Sequence, residues 1–377
     1  MAWFGLKAGR GGARPALSGG WSRSGVPVTA QGVLGGPAWP RGYEAQVREA
    51  YLGNAVAQRA VRLVAEGVAE APLLASEPAV ATLASARSGG QSLLATVATQ
   101  LLLHGNAYIQ VLRDPEGGAA ELYALRPERV TVETDAGGWP AAYRYRVGER
   151  VVRLGADGPR PEVIAIRSSH PLDDHYGAGC LGAAGAAVAV HNAASRWHQA
   201  LLDNAARPSG ALVYDPGDGS ALSADQYARL KEEMAAFSGA GAAGRPMLLE
   251  GGLKWQAMSL SPHDLDFAGT KAAAAREIAL AFGVPPMLLG LPGDSTHANY
   301  RVANRALWRL TVLPLAGAIL GSIAQGLEGW FEGASLRVDL DRVPALAEDR
   351  ERLWRSVAAA DFLTREEKRA LLDIRDE

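Results

Sequence analysis

Two long stretches dominated by alanine set the tightest limit on what this chain can fold into. Leu181 to Ala206 reads as one helix, ended by Arg207-Pro208. Pro262 to Phe282 reads as another. Ser261 is placed to cap it, Pro262 to occupy its first turn and Asp264 to favour its positive end, while Gly283 and Pro285-Pro286 stop it. Phe267, Lys271, Ala275, Ile278 and Phe282 fall on one face. Rods of this kind bury little alone, because a methyl group covers little area. They gain burial through close backbone approach. The whole chain shares this character: apolar residues make up 48 % with Ala foremost, Gly adds a further 44 residues, and aromatics reach only 7 %.

A length of 377 residues suggests roughly two to three domains. Residues 1–42 are rich in Gly, Pro, Ser and Arg and carry Lys7, Arg10, Arg14, Arg23 and Arg41 with no acid. They read as a flexible basic arm, which the sharper reading sets against nucleic acid or a neighbouring subunit. The first residues lack the apolar run of a secretory signal. Order is expected from Tyr43, where Val47, Tyr51, Asn54, Val61, Val64 and Val68 recur at helical spacing up to Pro72.

A second helix carries Leu94, Val97 and Leu101 and closes at Gly105. The period then changes. Asn106 to Leu112 reads as a strand, Asp114 to Gly118 as a turn and Glu121 to Leu125 as the return. Tyr143 to Leu154 alternates at period two, and Val163 to Arg167 is a further strand. The fold class is therefore α+β.

Between the two alanine-rich rods lie strand Gly210–Tyr214, helix Ser223–Phe237 and strands Pro246–Gly252 and Leu253–Leu260. A third long helix runs from Asn299 to about Phe331, and Pro314 should kink it. Its part from Leu313 to Phe331 is the best membrane candidate, but Pro314, four glycines, Gln325 and Glu328 interrupt it. A buried helix without membrane insertion is the expectation. Leu346 to Ala360 and a last helix opened by the capping box Thr364-x-x-Glu367 complete the chain.

The search for chemistry is short. Gly177-x-Gly179-x-x-Gly182 matches the dinucleotide pattern, and a nucleotide-binding enzyme using that turn is the alternative function. That pattern needs a buried strand before it. Here Ser168 to Tyr176 is polar, Asp203 sits near a helix end, and no βαβ alternation follows. Small residues at a crowded helix start are the better reading. His170, Asp173, Asp174 and His175 cluster in one loop without metal-ligand spacing.

Cys180 stands alone, which excludes an intrachain disulfide. Asp264 and Asp266 suit a helix start without catalysis. No catalytic residue, cofactor or metal is assigned. Arg301, Arg305 and Arg309 line one helix face, to be paired with acids of a neighbouring element or, less simply, to meet phosphates or another subunit.

One segment carries a resemblance. Glu277 to Gly290 ("EIALAFGVPPMLLG"), followed by Ser295-Thr296, Asn299 and Leu310–Pro314 ("LTVLP"), resembles the signature of the portal proteins, or head–tail connectors, of tailed bacteriophages, in their compact long-tailed-phage branch. Weaker likeness lies in Leu101–Asp114, Leu122–Val132, Asp203–Tyr214, Met247–Phe267 and Leu363–Ile374, covering about residues 45 to 377. Two departures stand out. Gly179-Cys180 occupies a place where the family commonly carries Ser-Pro, which produces the dinucleotide-like pattern, and Arg301 stands where an acid is common.

The resemblance implies a portal-type fold: an α/β wing over 43–175, stem helices over 176–208 and 261–283, and a clip over 209–260. It further implies a channel loop over 284–298, a kinked wing helix and return over 299–345, and a short crown over 346–377. Channel-loop candidates are Leu291, Asp294, Ser295, Thr296 and His297. Stem-packing candidates are Val188, Trp197, Leu201, Phe267, Ile278 and Phe282. Tyr227, Lys231, Met234, Phe237 and Trp255 are clip candidates for docking a motor or adaptor.

The implied function is a homo-oligomer ring, typically of twelve subunits, at one capsid vertex of a virion, phage-like particle or gene transfer agent, assembled in the bacterial cytoplasm. Its implied partners are double-stranded DNA bound without sequence preference, the terminase large subunit, a head–tail adaptor and the major capsid protein. A net charge of -2 suits a channel that DNA must slide through, since a tightly phosphate-binding wall would hold it.

Overall fold

The computed structural model describes residues 39–40, 42–88, 90–156, 158–203, 210–214, 222–236, 253–257, 267–291 and 297–372. They belong to two compact units, one formed by residues up to 185 together with those from 278 onward, the other by residues 186–277.

In the first unit, α1 (Tyr43–Val47) runs into a π turn over Arg48–Leu52, and α2 (Ala55–Ala69) begins afresh. The two are not one helix, as the apolar spacing suggests, because Asn54 caps α2: its Oδ1 accepts a hydrogen bond from the Ala57 amide at 3.0 Å. Strand β1 (Leu73–Ala75), α3 (Pro78–Ser85) and a short hairpin of β2 (Arg87–Ser88) and β3 (Gln91–Ser92) lead to α4 (Leu93–His104). Helix α4 ends at Gly105 with φ +83°, the left-handed stop expected from the sequence.

Strand β4 (Asn106–Arg113) is the middle of a three-stranded antiparallel sheet, between β5 (Ala119–Leu125) and β9 (Val163–Arg167). A second antiparallel sheet orders β6 (Val130–Thr134), β7 (Pro140–Val147) and β8 (Arg150–Gly155). The alternation over 143–154 is therefore a hairpin, turned at Gly148 with φ +60°. Tyr108, Leu125, Val130, Tyr143, Leu154 and Val163 form one buried cluster joining the two sheets. The rings of Tyr108 and Tyr143 lie 5.3 Å apart at 56°.

Helix α5 (Cys180–Asp203) leads from the first unit into the second, where β10 (Gly210–Tyr214), α6 (Ala224–Ala236) and β11 (Leu253–Ala257) follow. Strands β10 and β11 pair antiparallel, with Leu212 opposite Trp255. The expected strand over 246–252 lies outside the described residues.

Helix α7 (Phe267–Ala281) returns the chain to the first unit. There α8 (His297–Leu307), a π turn over Trp308–Val312 and α9 (Leu313–Leu327) form one continuous rod. The wide turn has a local cause. Pro314 has no N–H for the carbonyl of Leu310, so the helix loosens just before it. Helix α9 buries Ile319, Leu320, Ile323 and Leu327 and packs on α4 and β9. At the crossing with β9 only glycine fits, because a side chain on Gly326 would collide with Ile164. Strand β12 (Leu336–Val338) pairs with β1, placing Leu74 opposite Arg337, and α10 (Ala347–Ala359) and α11 (Arg365–Leu371) end the described chain.

Candidate functional site

The glycines of the dinucleotide-like pattern sit where three backbone segments cross. Arg167 ends β9, and residues 168–176 form a loop before α5 begins at Cys180. A Cβ on Gly177 would collide with the Gly105 carbonyl oxygen, and one on Gly179 with the carbonyl of Leu103. Gly105, in turn, faces the backbone of Ala178 and Gly179. These glycines let the start of α5 lie against the end of α4.

Asn106, 1 % exposed, locks the crossing. Its Oδ1 accepts from the Gly177 amide at 2.7 Å and its Nδ2 lies 3.3 Å from the Gly177 carbonyl oxygen. The same Nδ2 stands 3.0 Å from His104 Nδ1. In a nucleotide turn the amides face a phosphate. Here the Gly177 amide is used internally, and Gly182 is exposed on the helix surface.

His104 is buried, lies edge-on to Tyr43 with ring centroids 4.7 Å apart, and its Nε2 has no hydrogen-bond partner among the described residues. Burial pushes its pKa down to about 4. Burial also raises the Cys180 thiol above its ordinary value, which suppresses the reactive thiolate.

In the loop that suggested metal ligands, Asp173 and His170 are engaged by the loop's own backbone. Asp173 Oδ1 accepts from the amides of His175 and Tyr176, each at 2.8 Å, and His170 Nδ1 accepts from the Leu172 amide at 3.1 Å. Among the described residues no group of three His, Cys, Asp or Glu side chains could hold a metal ion. The Tyr176 hydroxyl accepts from the Val132 amide at 3.1 Å and ties the loop to the edge of β6.

The arginine stripe is paired within the chain. Arg301 bonds Glu348, Arg305 reaches Asp349 at 2.9 Å and Glu348 at 3.7 Å, and Arg309 lies 3.7 Å from Asp349. Both acids stand at the start of α10, where the helix dipole also favours them. Of the roles weighed from the sequence, pairing with acids of a neighbouring element is the one the geometry shows.

Of the channel-loop candidates, Leu291 is half-buried after the turn Pro286–Leu289, and His297 opens α8 rather than ending a loop. Asp294, Ser295 and Thr296 lie outside the described residues. Among the stem candidates, Val188, Ile278 and Phe282 are buried. Trp197 is half-buried and meets His198 with ring centroids 5.8 Å apart; Leu201 belongs to α5, and Phe267 starts α7.

In the second unit His191 of α5 has its pKa lowered first by burial and then by the charge of Lys271 on α7. Ala187 and Ala194 of α5 and Ala274 and Ala275 of α7 are buried. Among the clip candidates, Tyr227 (63 % exposed) and Lys231 face solvent on α6. Met234 lies in α6 and Trp255 in β11, while Phe237 lies outside the described residues. Sequence reasoning missed Asn106, whose place just after a helix-ending glycine was the available signal, and two exposed leucines, Leu280 and Leu310, which left none.

Known proteins place this arrangement. The profile of the family "Phage portal protein" matches residues 55–373. A chain in the solved virion of a native gene transfer agent particle is 48 % identical, with a TM-score of 0.70, and the match covers 91 % of this chain and 96 % of that one. In the neck of the native particle, computed with C12 symmetry, the corresponding figures are 47 %, 0.70, 92 % and 97 %. An HK97-family phage portal protein from Corynebacterium diphtheriae is 21 % identical, with a TM-score of 0.56 over 78 % of this chain and 98 % of its own, and supports the fold alone. An uncharacterized protein of Rickettsia bellii (strain RML369-C) is 37 % identical over 346 residues, 86 % of this chain and 88 % of that protein. With its mixed helix-and-sheet architecture, its signature segment and its family match in agreement, the chain belongs to the phage portal protein family.

Proposed function

We propose that copies of this chain close into a twelve-membered ring at one capsid vertex of a phage-like particle, and that double-stranded DNA passes through the ring during packaging and again on ejection. A single observation carries this reading: the chain matches, over nine-tenths of its length, a chain in a gene transfer agent neck with C12 symmetry. The physics of the sequence agrees. Helices α5 and α7 bury mainly alanine where they are described, and a heterologous contact repeated around a closed ring supplies burial that one copy lacks.

In the same reading, residues 43–175 are the wing, α5 and α7 the paired stem, 209–260 the clip, 284–298 the channel loop and the last helices a short crown. The terminase motor docks during filling, a head–tail adaptor afterwards, and the capsid shell surrounds the ring. The chain itself hydrolyses nothing: energy comes from the motor. The internal use of the Gly177 amide supports this, because it leaves the turn without its phosphate-facing donor.

The test is particle mass and symmetry. Sedimentation and axial electron images of the purified protein are expected to give a closed ring near twelve copies. A chain that stays monomeric at every concentration, or that turns over ATP unaided, defeats the proposal.

A further inference from the structure

Resting on that ring-forming function, we infer that the outward face of the α8–α9 rod is a contact between neighbouring copies, with Leu280 and Leu310 seated on the adjacent subunit beside a smooth track formed by Pro314, Gly317, Ala318 and Gly321. The rod spans Ala298–Leu327, 30 residues with a mean hydropathy of 1.7 over its most apolar window, yet only 39 % of that window is buried. One side is the core already described. The other carries Leu310, 77 % exposed, then Pro314, Gly317, Ala318 and Gly321, all exposed and following at helical spacing.

Leu280 is 78 % exposed at the end of α7. It lies beside the same place, because Gly283 donates its amide to the Leu280 carbonyl at 3.0 Å and accepts from the Thr311 hydroxyl at 2.6 Å. Two large apolar side chains therefore flank one hydrogen-bonded junction with little cover from the described residues. An exposed patch continuous with a smooth helical track marks an interaction surface.

The occupant is a second copy. In a cyclic ring every subunit must offer two different complementary faces, and the match to a 47 % identical chain of the C12 neck takes in 92 % of this chain. A lipid bilayer fits poorly, since Arg301, Arg305 and Arg309 sit in the same rod. The two glycines keep the track low, so that a neighbouring helix or strand can approach the backbone closely.

Substitutions at the glycines separate contact from fold. A Cβ added at Gly317 or Gly321 meets nothing within 4 Å among the described residues, and leucine is a better helix former than glycine. The double variant Gly317→Leu/Gly321→Leu is therefore expected to unfold as a dissociated chain at the same temperature as the parent or higher. By sedimentation of the full chain over a concentration series, half-assembly is expected to need at least tenfold more protein, and Leu310→Glu is expected to act likewise.

A photo-crosslinker, Ala318→p-benzoylphenylalanine, should yield an adduct that maps to a second copy of this chain. Parent-like assembly of both variants overturns the inference and leaves the ring standing. So does an adduct to a different protein, binding of the parent to phosphatidylcholine vesicles through this face, or a lower melting temperature of the dissociated double variant. A parent that never assembles removes the ring itself, and the inference with it.

Discussion

Gly179 illustrates how much one missing side chain decides. With the Leu103 carbonyl oxygen too close to where a Cβ would stand, even a methyl group must push α4 and α5 apart. Gly179→Ala is expected to cost roughly 1–3 kcal/mol, read from chemical denaturation. Asn106→Ala leaves the buried Gly177 amide without an acceptor and a small cavity beside His104, and should cost roughly 2–4 kcal/mol by the same measurement.

His104 adds a pH dependence of definite sign. The folded state keeps the imidazole neutral down to about 4, against an ordinary value of 6.5, because burial disfavours the charge. Its contribution is complete above the ordinary value, declines as pH falls through that window and levels off below the folded value, amounting to about 3 kcal/mol. In His104→Gln the loss of stability between neutral and pH 4 should shrink by about that amount. An unchanged pH profile would show that the ring is hydrated.

At the scale of elements, helix α10 is held to α8 by charge. Arg305 and Asp349 are partly covered, with 22 % and 27 % of their side chains exposed, so Arg305→Gln should cost no more than about 1 kcal/mol at low ionic strength and nearly nothing at high salt. Hydrogen exchange of α10 amides, compared at the two salt levels, checks this. Elements whose signals are local could be read directly: the left-handed stop at Gly105, the hairpin from Asn106 to Leu125 and the capping box at Thr364, where Glu367 accepts from the Thr364 amide at 2.8 Å. Strand β1 escaped notice because its partner β12 lies far along the chain and each has three residues. The Asn54 cap was hidden by apolar spacing that runs through it, and the Gly148 turn by an alternation that continues on both sides.

At the scale of the molecule, charge bears on the proposed passage of DNA. The net charge is -2, and the basic stripe is engaged by Glu348 and Asp349. Filter binding of double-stranded DNA to the assembled ring should accordingly be weak, with a slope of log affinity against log salt no steeper than about -3. A slope twice as steep would mean that the wall grips phosphate and would contradict a sliding passage.

The linear sequence was enough for the α+β class, the two alanine-rich rods, a disturbed helical turn next to Pro314 and the portal resemblance, because helix period, caps, proline and the signature segment are all local. It was not enough to say why Gly177 and Gly179 are glycines, which partners hold the arginine stripe, or which side of the long rod stays bare. Those answers depend on contacts between residues dozens to hundreds of positions apart, such as Asn106 with Gly177 and Arg305 with Asp349. Only folding brings such residues together, and what a close-packed interior leaves uncovered is known only once the rest of the chain has taken its place.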